Sequence, residues 1–180
     1  MLLMDKTALL IIDIQGLLAR TVYESHLIYA NWQKLIKAAQ LFKLPIILVE
    51  QNSNGLGRTI PELRGLLGDL PPIQKMTFNA CLNEEFLHRL KETKREQLLV
   101  AGIEAHVCVY QTVSGLLKES SYQVHVASDA VSSRTAWNRD MALKRMRELG
   151  AVITTTKMAL FEIMHTSEGE LFRQFIKIVK

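Results

Sequence analysis

Short runs of apolar and β-branched residues recur along this chain, and their spacing limits the fold more than any other feature. Residues 7–13 (TALLIID), 44–50 (LPIILVE), 97–103 (QLLVAGI), 122–130 (YQVHVASDA) and 151–156 (AVITTT) are too short for helices and largely apolar. Strands buried on both faces read this way. A sixth, shorter strand fits PIQKMTF at 72–78. Pro45 stands near the start of its run, where proline is tolerated.

Helical patterns fall between these runs. Residues 26–43 carry Leu27, Ala30, Leu35, Ala38, Ala39 and Phe42 at helical spacing. Residues 83–94 open on Asn83, a plausible N-cap, followed by two glutamates in the first turn. Residues 106–120 predict a helix whose first turn holds Cys108. Residues 135–150 end on Gly150, a common C-terminal cap, and 157–164 and 168–179 also read as helical. Residues 51–72 read as a long loop with one short helical turn, and loops of that length are often functional.

Strands alternating with helices predict an α/β fold: a three-layer, mostly parallel six-stranded sheet, Rossmann-like, with helices on both faces. The 180 residues suit one domain spanning 1–180. In such folds ligands bind beyond the carboxyl ends of the strands.

Composition removes several alternatives. Hydrophobic residues make up 48% and charged residues 22%, so a disordered chain is not expected. The apolar start MLLMDKTALLIIDIQ has no basic segment ahead of it, is interrupted by Asp5 and Lys6, and is too short to span a bilayer. It predicts a buried first strand and a cytoplasmic protein without membrane contact. The net charge of +4 includes a basic cluster at Arg134, Arg139, Lys144, Arg145 and Arg147. A solvated helix face accounts for it, and no nucleic-acid module is present. Cys81 and Cys108 form neither a CxxC pair nor a Cys/His cluster. Reduced thiols and no bound metal are expected. The GLG at 55–57 is no dinucleotide fingerprint and there is no P-loop lysine, so no cofactor is indicated.

Three polar residues fall at or just after strand ends: Asp13, Lys75 and Cys108. Alone, an aspartate there is a turn residue, a lysine is solvated, and a cysteine is a small buried hydrophobe. Together they suit nucleophilic chemistry. A thiol attacks carbonyls as thiolate, which a helix N-terminus and a nearby ammonium both favour. An aspartate can take the thiol proton and pass protons onward. Backbone N–H groups around Cys108 can form an oxyanion hole.

These residues carry a resemblance. LLIIDIQ with Asp13, IQKMTFNA with Lys75, GIEAHVCVYQT with Cys108, and SDAVSSR after the fifth strand resemble the isochorismatase-like cysteine hydrolases in order and spacing over nearly the whole chain. The resemblance implies an Asp13–Lys75–Cys108 triad. It also implies a cis peptide at Ile103–Glu104 that turns backbone N–H groups near Glu104 and Cys108 toward the oxyanion. Isochorismatases proper generally lack the cysteine, so amide-type or related acyl hydrolysis through a thioester is expected. Nicotinamidases carry an Asp-x-His metal motif after the second strand, where this chain has Glu50, Gln51 and Asn52. The pattern looks most like small isochorismatase-domain hydrolases of poorly defined substrate. Family members commonly assemble, so a homo-oligomer is expected, with the C-terminal helix packing on the sheet or on a partner.

Gln15 and Gln51 follow strand ends and are candidates to bind a small-molecule substrate, or else to cap loops. Phe78 and Tyr110 are candidates to wall the pocket, or plain core. His106 is read as pocket-lining or surface, in preference to a Cys–His pair. Cys81 is read as structural. Three rival functions remain: a binding or scaffold protein that keeps the fold, isochorismatase or nicotinamidase activity proper, and a thiol-redox protein.

Overall fold

The computed structural model describes residues 1–119 and 121–180. In chain order they form β1 (Thr7–Ile12), α1 (Leu18–Thr21), α2 (Ser25–Leu41), β2 (Ile46–Gln51), α3 (Ser53–Leu56), α4 (Pro61–Leu67) and β3 (Ile73–Lys75). A 3-10 turn (Ala80–Leu82), α5 (Glu84–Glu92), β4 (Gln97–Ile103), a π turn (Ala105–Val109) and α6 (Tyr110–Lys118) follow. The chain ends with β5 (Gln123–Ser132), α7 (Ala136–Glu148), β6 (Val152–Thr154), α8 (Thr156–Met164) and α9 (Gly169–Val179).

The strands form one sheet in the order β3-β2-β1-β4-β5-β6, parallel at every pairing. The expected alternation produced this topology because parallel neighbours need a crossover between them. Alternate strand residues feed two cores. Leu9, Ile11, Leu48, Leu99 and Ala101 pack under α2, α4, α8 and α9. Leu10, Ile12, Val49, Leu98 and Val100 pack under α5, α6 and α7. The C-terminal helix settles within its own chain: Phe175 is buried against Phe42 and Phe161, at ring-centroid distances of 5.4 and 5.0 Å.

Several boundaries differ from expectation. The loop after β2 holds two helical segments rather than one turn, the second opening on Pro61, whose fixed φ suits a first helical position. A short α1 precedes α2. The strand at 72–78 shrinks to Ile73–Lys75, because Met76, Thr77 and Phe78 are exposed and have no core to face. β5 runs on to Ser132, past the expected end at Ala130. It shifts register against β4, with Val100 opposite Val126 but Gly102 opposite Val131. The extra residues carry Ser133 and Arg134 to the carboxyl edge of the sheet. Thr155 leaves the expected last strand and caps α8, accepting from the Met158 N–H.

β1 lies between β2 and β4, and the chain crosses to opposite sides of the sheet from it. The carboxyl edge there is the switch point at which such sheets open a crevice.

Candidate active site

The expected triad residues come from three strands that end at this edge. β1 stops at Ile12, and Asp13 takes a left-handed backbone (φ 54°), a conformation Asp adopts more readily than most residues. Lys75 is the last residue of β3. Cys108 follows β4 in the π turn, not in the first turn of an α-helix as expected. Gly102 lets β4 lie close to β1. Its φ is 145°, and a Cβ there would sit 2.2 Å from the Ile12 carbonyl oxygen. The Ile103–Glu104 peptide is cis, at the position the resemblance implied.

Burial is nearly complete at all three: Asp13 is 1% exposed, Lys75 2% and Cys108 6%. Lys75 Nζ donates to Asp13 Oδ2 at 2.8 Å and to Gln51 Oε1 at 2.7 Å. Gln51 is fixed in turn, donating its Nε2 to the Met76 carbonyl at 2.9 Å and its backbone N–H to Gln15 Oε1 at 2.7 Å. Oδ1 of Asp13 is buried and no nitrogen or oxygen donor reaches it; the Cys108 thiol is the group close enough to bond this carboxyl. Such an atom normally has a partner.

Asp13 and Cys108 line one cavity of about 260 Å³, with Gln51, Glu104 and Arg134 and an apolar wall of Leu18, Leu56, Phe78, Ile103 and Val107. Burial raises the Asp13 carboxyl above its ordinary range, against the opposing pull of Lys75. Burial and then the Asp13 charge push the Cys108 thiol up to about 12, against Lys75. The resting cysteine is therefore a thiol. Lys75 acidifies the thiol, as its charge predicts, but dehydration and the adjacent carboxylate outweigh it here.

The π turn arranges the backbone. The N–H groups of Val107 and Val109 both donate to the Glu104 carbonyl, at 3.1 and 3.3 Å. That of Cys108, between them, is not among its donors. The Glu104 side chain accepts from both the backbone N–H and Nε of Arg134, at 3.2 and 3.1 Å.

The remaining candidates divide. Gln51 and Phe78 line the cavity. Gln15 does not: it is fully buried, and its Nε2 donates to the Gln51 and Gly57 carbonyls at 3.1 and 2.6 Å, the loop-capping alternative. His106 is also outside the lining; its Nδ1 lies 2.9 Å from the Ser133 hydroxyl. Tyr110 stacks under Arg145 on α7 at 5.1 Å. Arg134, expected on a solvated basic face, is exposed as expected but also lines the cavity, where it pairs with Glu104. The rule that function follows strand ends would have found it had β5 been given its true end. Glu50 was passed over too. It is buried, and its carboxylate accepts from the Thr59 N–H (2.8 Å), the Thr59 hydroxyl (2.7 Å), the Ser53 hydroxyl (2.7 Å) and Gln74 Nε2 (2.9 Å). Burial works to raise this carboxyl, but the hydrogen bonds from Ser53, Thr59 and Gln74 together hold it below the ordinary value. Among the described residues no three His, Cys, Asp or Glu side chains gather as metal ligands. Nor is any helix long and apolar enough to cross a membrane.

The family model of the Isochorismatase domain matches residues 7–158, which include all three strand-end residues. The chain belongs to the isochorismatase family. Among similar proteins of this family is the secreted isochorismatase effector Isc1 of Phytophthora sojae, 33% identical over 183 residues, covering 99% of this chain and 87% of that one. The solved structure of MAR1 ribonuclease from Caenorhabditis elegans is 35% identical, with a TM-score of 0.91 over 99% of this chain and 91% of that one. The YcaC gene product of Escherichia coli, described as an octameric hydrolase of unknown specificity, is 29% identical. Its TM-score is 0.89, over 99% of this chain and 86% of that one. The six-stranded isochorismatase-like hydrolase fold is thus shared along nearly the full length.

Proposed function

We propose that this isochorismatase-family chain is a cofactor-independent cysteine hydrolase that cleaves a small amide-type or related acyl substrate. The observation that carries the reading is Asp13 Oδ1. It is a buried carboxylate oxygen that no nitrogen or oxygen donor reaches, in the cavity that also holds Cys108, whose thiol is close enough to bond the carboxyl, and Lys75 anchors the other oxygen. A group so placed is ready to accept a proton.

The chemistry follows in two halves. Cys108 Sγ attacks the substrate carbonyl carbon while its proton passes to Asp13 Oδ1. A thiol held neutral until substrate arrives needs such a base at contact. Charge on the carbonyl oxygen is met by backbone N–H groups of the turn between Glu104 and Cys108. Asp13 returns the proton to the leaving nitrogen, the C–N bond breaks, and a thioester remains on Cys108. Asp13 then takes a proton from water. The hydroxide attacks the thioester, the acid leaves, and the proton returns to sulfur. Lys75 keeps Asp13 oriented, and Gln51 holds Lys75.

The cavity of about 260 Å³ supports a small molecule as substrate. The octameric description of the E. coli relative supports a homo-oligomer. Two free thiols suit a cytoplasmic setting, although the Phytophthora sojae relative is named as secreted.

The test is a panel of small primary amides with wild type and Cys108→Ala, with intact-mass spectrometry of the quenched enzyme. A turned-over amide should leave its acyl mass on Cys108, and Cys108→Ala should be inactive with an unchanged melting temperature. Substantial turnover by Cys108→Ala sinks the nucleophile. An oligoribonucleotide joins the panel because the Caenorhabditis elegans relative is named a ribonuclease. RNA cleavage without amide turnover would replace the reading. Inactivity across the panel, with reversible binding only, would favour a binding protein.

A further inference from the structure

A second concavity, of about 710 Å³, lies outside the catalytic cavity, between β3 and the loop that carries α3 and α4. Polar side chains share its lining with Pro72 and Met76: Asn52, Ser53, Arg58, Arg64 and Gln74 stand around Glu50. We propose that this groove binds a small anion carrying several oxygens, a phosphate or a carboxylate.

The charge balance points there. Arg58 and Arg64 both face the groove, and among the described residues neither joins an ion pair. Glu50 is the one acid of the lining, and both of its oxygens are already taken, one by Thr59 and the other by Ser53 and Gln74. The groove therefore offers two cations against one carboxylate that has no free acceptor to turn toward them. A cationic ligand has nothing to bind.

Arg64 is also held in place. It is half-buried, and its Nη2 donates to the main-chain carbonyls of Gly68 and Leu70. Neutral carbonyls orient a guanidinium without cancelling its charge. The remaining donors of its planar fork keep the geometry that pairs with carboxylate or phosphate oxygens, and no rotamer freedom is lost when they do. Arg58 supplies a second, exposed cation beside it, next to Asn52 and Asn54. Lys75 adds little to the attraction, because its ammonium is spent on Asp13 and Gln51 at the other side of this wall.

The test is calorimetric titration of the intact protein at constant ionic strength with inorganic phosphate, and separately with citrate. The same titrations are run on Arg58→Gln and on protein whose Cys108 has been alkylated. The expected result is saturable binding of at least one anion, about tenfold weaker in Arg58→Gln, the loss of one charge-assisted contact, and unchanged after alkylation. Arg64→Lys keeps the charge but loses the fork, and should also weaken binding while its melting temperature reports whether the α4 end is intact. Phosphate alone or citrate alone identifies the class. No saturable binding of either, equal affinity in Arg58→Gln, or loss of binding on alkylating Cys108 overturns the proposal, the last by placing the anion in the catalytic cavity.

Discussion

Replacing Asp13 with Asn should make Cys108 more reactive toward iodoacetamide at rest while abolishing turnover. The wild-type thiol is pushed from an ordinary 9.0 up to about 12, first by burial and second by the Asp13 charge, with Lys75 opposing. At pH 7.5 a thiol of that pKa is ionised in roughly one molecule in 30,000. Asp13→Asn removes the charge that raises the thiol pKa and leaves the Lys75 ammonium, which lowers it. Loss of a like charge at contact lowers a pKa by about 1–3 units, and each unit gives tenfold more thiolate. A less basic thiolate is a weaker nucleophile, which takes back about half of the gain on a logarithmic scale. The net expectation is a Cys108 alkylation rate about 3- to 10-fold above wild type at the low end of that range. The assay is peptide-resolved mass spectrometry against time. Cys81, whose thiol burial and then Glu119 push to about 11, serves as a control that should not change. A thermal melt confirms the fold. A slower Cys108 rate in folded Asp13→Asn, with Cys81 unchanged, would refute the electrostatic reasoning and make Asp13 a base for the resting thiol.

Lys75→Met should cost about 3–5 kcal/mol in urea unfolding, because it strands the Asp13 charge in a dry site; a loss under 1 kcal/mol would mean that Asp13 is neutral there. Gly102→Ala should lower stability by more than about 1 kcal/mol from backbone conformation alone. The added Cβ at the Ile12 carbonyl should also part β4 from β1, so the melting temperature and the amide turnover should fall together. Glu50 sets a pH dependence. Its carboxyl lies below the ordinary 4.5 in the folded protein, so the stability it contributes is fully present above that value and lost as pH falls through the native one. Wild type should exceed Glu50→Gln by about 1.5–3 kcal/mol at pH 7, with the gap closing toward pH 3; a gap independent of pH would contradict the assignment.

The sequence by itself determined the layer plan and the candidate residues for the chemistry. Runs such as QLLVAGI are apolar on both faces, so they read as internal strands, and their alternation with helices leaves a parallel sheet as the economical packing. The rule that ligands meet strand ends then singles out Asp13, Lys75 and Cys108 from sequence alone. Only the tertiary structure decided what surrounds them. The thiol's high pKa comes from dehydration and from a carboxylate 95 positions earlier in the chain, and no local pattern carries either. Gln15 became a loop clamp and Arg134 a cavity residue because hydrogen-bond partners are chosen among residues distant in sequence. The register shift in β5 moved Arg134 to the cavity edge, and such a shift depends on pairing with β4, not on the composition of β5. Strand propensity is written locally; the field at a buried atom is a sum over everything folded around it.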